Sequence, residues 1–164
     1  MKLQPLKQWI CDRCGEVIKE PGHGWLEWLS ENREEQYLHH GFKIVHYKPY
    51  SPRKPEGSCS FYDSPPQEQL KMDLPLSELI GLNGMVILLT FIDTGPFREE
   101  PFYGPHVKDL REWTELVRRL MLPYYEEARL YMRQANNQGF FDGSNEILIY
   151  MPLTLKKIIE RYGH

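Results

Sequence analysis

The chain has 164 residues, 41% of them hydrophobic and 26% charged, with a formal net charge of −3, which suits one soluble core or a small head on a larger body. The acidic excess is shared by both halves, which argues against a broadly basic nucleic-acid surface. The longest apolar run, Met85 to Ile92, is too short to span a membrane, and Met1-Lys2-Leu3-Gln4-Pro5 is too polar for a signal peptide, so a cytoplasmic protein with no membrane contact is expected.

Gln8 to Ile10 and Glu16 to Ile18 flank a Cys-x-x-Cys turn and predict a small hairpin. Gly24 to Leu29 is aromatic-rich and predicts a strand. Phe42 to Tyr47 is the clearest strand, with Phe42, Ile44 and His46 on one face and Lys43, Val45 and Tyr47 on the other. Ser30 to His40 is polar and reads as a loop or a single helical turn. Pro49, Pro52, Pro55 and Gly57 make residues 48–58 a loop that returns the chain to Cys59, and Ser60-Phe61-Tyr62 then reads as a short closing strand.

Pro65-Pro66 can continue neither a ladder nor a helix interior, so it marks the expected boundary between a head, residues 1–64, and a helical domain, residues 65–164, packed together as one unit. Asp73 is the expected N-cap of a short helix through Pro75 to Ile80. Gly81-Leu82-Asn83-Gly84 interrupts the pattern, and Met85 to Ile92 resumes it as a well-buried helix. Residues 94–105 form a Gly/Pro/aromatic loop. Leu110, Trp113, Leu116, Val117, Leu120, Tyr124, Ala128, Tyr131 and Ala135 then trace one apolar helical stripe, which Pro123 should kink or split. Glu126, Glu127, Arg129 and Arg133 read as its solvated face, and His106, Asp109 and Glu112 as its acidic start. Asn136 to Gly139 ends it. Glu146 to Tyr150 suggests a strand, and Pro152 opens a terminal helix to Tyr162. The fold class is therefore α+β, a β-rich, zinc-stapled head followed by a mainly helical body.

The sharpest chemistry is Ile10-Cys11-Asp12-Arg13-Cys14-Gly15. Two thiolates on one tight turn can grip a metal ion from the same side. The turn and its flanking strands, Ile10 to Ile18, resemble a zinc-ribbon or zinc-knuckle half-site, and this resemblance implies metal binding by Cys11 and Cys14. A ribbon would supply a second Cys-x-x-Cys. Here single candidates follow instead: His46 ends the strongest strand and Cys59 opens the closing one, which gives a Cys₃His set of Cys11, Cys14, His46 and Cys59 around Zn²⁺. His23, His39 and His40 compete with His46 for the fourth position, although His39-His40 reads as solvent-exposed and His23 as a loop residue. All three cysteines precede residue 60, and an odd count in a reducing compartment favours metal over disulfide. A redox Cys-x-x-Cys would open a helix in a βαβ setting, which this pattern lacks.

Three functions compete. A structural zinc site would order a protein-interaction or regulatory module, with Phe97, Phe102 and Tyr103 as candidate anchors for an unknown protein partner. A metal-dependent hydrolase would need an open zinc position and a base such as Asp12, Glu16 or Asp63. A weak nucleic-acid contact would rest on Lys43, Lys48, Arg53 and Lys54 interleaved with Tyr47 and Tyr50. Three sulfurs neutralise much of the metal's Lewis acidity, so the first reading leads.

Overall fold

A computed structural model of the protein describes residues 2–33, 36–54, 57–96 and 105–163. The chain is mixed, about 38% helix and 21% strand. Strands β1 (Trp9–Ile10) and β2 (Val17–Ile18) pair antiparallel on either side of the Cys turn, Trp9 opposite Ile18. The main sheet holds β3 (Gly24–Arg33), β4 (Gln36–His46) and β5 (Gln69–Pro75), in the order β4-β3-β5 and antiparallel throughout.

The strands overturn three expectations. Ser30 to His40 is not a loop or a helical turn: β3 and β4 run through it, in register from Gly24 opposite His46 to Arg33 opposite Gln36. The alternation there is hidden because Ser30, Glu31 and Asn32 are polar on both faces, and the cross-strand partner supplies the extended state. Nor does the chain turn helical at once after Pro65-Pro66. Leu70, Met72 and Leu74 alternate in β5, and Asp73 caps no helix but lies opposite Glu27 of β3. Ser60-Phe61-Tyr62 forms no strand, because the backbone N–H groups of Phe61 and Tyr62 bond to the Glu27 carboxylate instead of a ladder.

Where β3 passes Trp28, β4 carries one extra residue: Glu27 faces Lys43, but Leu29 faces His40. Gly41 sits there at φ +69°, the left-handed glycine of a bulge that lets side chains on both sides of the irregularity keep to their faces. Its N–H bonds to the Glu112 carboxylate at 2.7 Å.

Leu76–Leu79 forms one 3-10 turn, and helix α1 (Gly81–Thr90) follows. Gly81 to Gly84 does not interrupt this helix; it is its first turn. The helix is not well buried either. Leu88 is buried, whereas Leu82 is 87%, Val86 61% and Leu89 52% exposed, because neighbours cover only one stripe. Helix α2 (Leu110–Met121) is capped by the Asp109 side chain, which accepts from the Arg111 N–H. Trp113, Leu116, Val117 and Leu120 face the sheet core as the stripe requires, while Leu110 is exposed.

Pro123 splits the long pattern. Leu122 ends α2, Tyr124 takes φ +71°, and the short helices α3 (Tyr125–Ala128) and α4 (Met132–Asn137) follow. Glu146 to Leu148 is a 3-10 turn and not a strand, since the Asn145 side chain accepts from the Ile147 N–H. Helix α5 (Pro152–Tyr162) closes the fold. One core gathers Trp9, Leu26, Trp28, Ile44, Leu88, Leu116 and Leu120. A second gathers Tyr125, Ala128, Ala135, Leu155, Ile158 and Tyr162 from α3, α4 and α5.

Glu126 and Glu127 do not lie on a solvated face. Both are buried, with Arg119. The Arg119 guanidinium bonds to Glu126 at 2.8 Å, to Asp12 at 2.7 Å and to the Ile10 carbonyl at 3.1 Å. Arg129 is a second cation on Glu126, at 3.0 Å, and Glu127 accepts the Leu3 N–H at 2.7 Å. The break after α2 turns these carboxylates inward, and each then requires a partner.

Candidate metal centre

Cys11 and Cys14 stand on the turn between β1 and β2. The turn closes through Cys11 N–H to the Glu16 carbonyl (3.0 Å) and Gly15 N–H to the Cys11 carbonyl (2.9 Å), with Gly15 at φ +77°. Asp12 ties the turn to β4: its N–H donates to the Ile44 carbonyl (2.8 Å), and its carboxylate accepts the Ile44 N–H (2.7 Å). That anchors the turn at Ile44, two residues before His46 on β4. Cys59 comes from the returning loop, held where the Glu27 carboxylate takes Phe61 N–H at 2.7 Å and Lys71 Nζ at 2.7 Å.

The ligand atoms of Cys11, Cys14, His46 and Cys59 all lie within 4.8 Å of one another. Zn–S bonds near 2.3 Å and Zn–N bonds near 2.0 Å at tetrahedral angles place neighbouring ligand atoms about 3.5–3.8 Å apart. The Cys14 Sγ to His46 Nδ1 separation is 3.5 Å. His46 Nε2 lies 3.3 Å from the Val17 carbonyl. A proton on Nε2 satisfies that carbonyl and leaves the Nδ1 lone pair facing the sulfurs, the outer-shell arrangement of metal-bound imidazoles. Ser51 Oγ lies 3.1 Å from Cys59 Sγ, within hydrogen-bonding reach of that sulfur. The donor set and spacing therefore fit a metal ion.

Burial pushes the Cys14 thiol up to about 12, with Cys11 and Cys59 adding to the rise. Burial likewise holds His46 below the usual imidazole range, against the opposing pull of the Val17 carbonyl and Glu16. Both shifts keep Cys14 and His46 neutral in the metal-free chain, and a bound cation would favour the Cys14 thiolate.

The other histidines lie elsewhere. His23 stacks on Tyr50 with ring centroids 3.7 Å apart. His40 faces Glu31 at 3.7 Å. His39 is not solvent-exposed: it accepts the Trp28 indole N–H at 3.1 Å and meets the Phe91 ring edge-on, and burial, with His106 and His40 nearby, lowers it to about 4.

Of the three candidate bases, Asp12 is committed to Arg119 and the Ile44 N–H, whereas Glu16 and Asp63 are exposed. The basic-aromatic strip is partly used internally. Lys43 lies over the Phe61 ring at 5.0 Å, Tyr50 stacks on His23, and Lys54 donates to the Pro49 carbonyl. Phe97, Phe102 and Tyr103 fall outside the described residues. Sequence reasoning missed Glu27 and Arg119 as supports of the site, since no local pattern marks a lone charged residue for burial. Comparison of the chain with models of protein families, with curated proteins and with solved structures finds no match, so the cluster is judged by its own chemistry.

Proposed function

We propose that the chain is a protein-interaction or regulatory module in which Cys11, Cys14, His46 and Cys59 hold one structural Zn²⁺. The observation that carries this reading is the convergence of four soft or borderline ligand atoms within 4.8 Å. Zinc is the choice because thiolates with one imidazole, tetrahedrally spaced, suit it better than hard cations. Cys11, His46 and Cys59 are buried, which supports a closed, structural site and weighs against a hydrolase with an open coordination position. The exposed Leu82, Val86 and Leu89 of α1 supply an apolar surface of the kind that partners cover. Residues 1–64 and 65–164 act as one unit on this reading, supported by the β3–β5 pairing and by Arg119 reaching Asp12.

Elemental analysis of protein purified under reducing conditions tests it. One zinc per chain is expected, lost in Cys11→Ser, Cys14→Ser or Cys59→Ser and lost or weakened in His46→Ala. His23→Ala and His40→Ala should retain it. Structural zinc contributes on the order of 10 kcal/mol to small domains, so chelation should lower the melting temperature sharply. Metal-free protein with a melt indifferent to chelator would overturn the reading.

A further inference from the structure

A cleft of about 330 Å³ opens beside the metal cluster. One side is formed by Trp25 and Tyr47, whose ring centroids lie 5.2 Å apart at an interplanar angle of 37°. Aromatic faces carry the negative end of a quadrupole and attract cations.

The charges around the cleft point the same way. The register of β3 and β5 sets Glu27 directly opposite Asp73, two carboxylates that repel unless each is compensated. Lys71 compensates Glu27, at 2.7 Å, and is also bonded to Ser60 Oγ at 2.7 Å. The Asp73 carboxylate has no ion pair or hydrogen bond among the described residues, and neither has that of Asp63 across the opening; both side chains are exposed. Lys48 is the one other lysine or arginine on the lining among the described residues. With Glu27 and Lys71 paired, two carboxylates and an aromatic wall stand against a single ammonium.

An anion would be repelled by this combination, and a hard divalent cation, which holds its water shell tightly, would gain little from the rings. A cation with an apolar surface meets both walls. We propose that this cleft binds an alkylated ammonium group, with Trp25 and Tyr47 as the aromatic wall and Asp63 and Asp73 as counter-charges. The proposal goes beyond the metal centre and uses no property of a bound ion.

Calorimetric titration of the full-length protein, in its metal state as purified, tests this with tetramethylammonium chloride, an acetylated and amidated trimethyl-lysine, and sodium phosphate as the anionic control. Saturable binding of the ammonium probes is expected, with a dissociation constant on the order of 1 mM. An Asp63→Asn/Asp73→Asn double variant should weaken it about tenfold, and Tyr47→Ala to a similar degree. Both variants alter exposed side chains, and their melting temperatures check that they fold. Trimethyl-lysine binding tighter than tetramethylammonium supports a peptide side chain as the source, and equal affinities support a free ammonium compound. No saturable binding of either probe up to about 50 mM, phosphate binding in their place, or affinities unchanged in both variants would overturn the proposal.

Discussion

His39 lies between Trp28 and Phe91 and takes the indole N–H on Nδ1. A proton on that nitrogen would remove the acceptor and place a charge in a half-buried site. Its folded value, about 4, lies below the ordinary 6.5, with burial the largest cause and His106 and His40 adding to it. Between those two values the unfolded chain binds the proton and the folded one does not, so stability falls as pH drops from about 6.5 to about 4 and levels off below. Denaturant midpoints measured across that window should show the decline, and His39→Gln, which keeps an acceptor but cannot titrate, should flatten it. At this scale the sequence was informative about the cysteines and His46 and misleading about His39. The spacing of Cys11 and Cys14 fixes a turn locally. Whether His39 or His46 meets them depends on which face of a strand each occupies, and an extra residue at Gly41 lies between the two.

That extra residue governs β4. The φ of +69° at Gly41 suits glycine, and a Cβ there would run into the Tyr62 hydroxyl, which donates to the Gly41 carbonyl. Gly41→Ala should therefore cost about 1–3 kcal/mol, readable as a lower denaturation midpoint with an unchanged slope. Elements with a clear apolar pattern were legible: α2, α5, β1, β2 and the second half of β4 all follow from their residues. The missed elements share a physical reason. The first half of β4 and the end of β3 are polar on both faces, so their state comes from each other. β5 carries Leu70 and Met72 on an edge where they remain exposed, and a strand so lightly buried leaves little signal. Helix α1 errs in the opposite direction, apolar enough to look central while only Leu88 is enclosed among its large side chains.

Across the whole molecule, Arg119 joins what the sequence separates. Burial works against its charge, and Glu126 and Asp12 more than offset that, so its pKa is raised, while Arg119 and Arg129 hold Glu126 below the usual carboxylate range against its burial. Removing one member of such a network leaves buried charges uncompensated. Arg119→Ala should destabilise the fold by about 3–5 kcal/mol in chemical denaturation, and by much less in combination with Asp12→Asn and Glu126→Gln, if the loss comes from stranded carboxylates. The cluster of Cys11, Cys14, His46 and Cys59 was legible because thiols are rare here and two of them share one turn; this network was not, because Glu126, Arg119 and Asp12 look like ordinary surface residues until the break after α2 brings Glu126 back onto Arg119. The wide spacing of Cys11 and Cys59 has a consequence for the denatured chain. An ion gripping both would keep them tied after the sheet has melted, leaving a ring of roughly fifty residues whose freedom is reduced by about 4 kcal/mol relative to open coil. Refolding from that ring would begin with the turn after β1 and the loop between β4 and β5 already near each other.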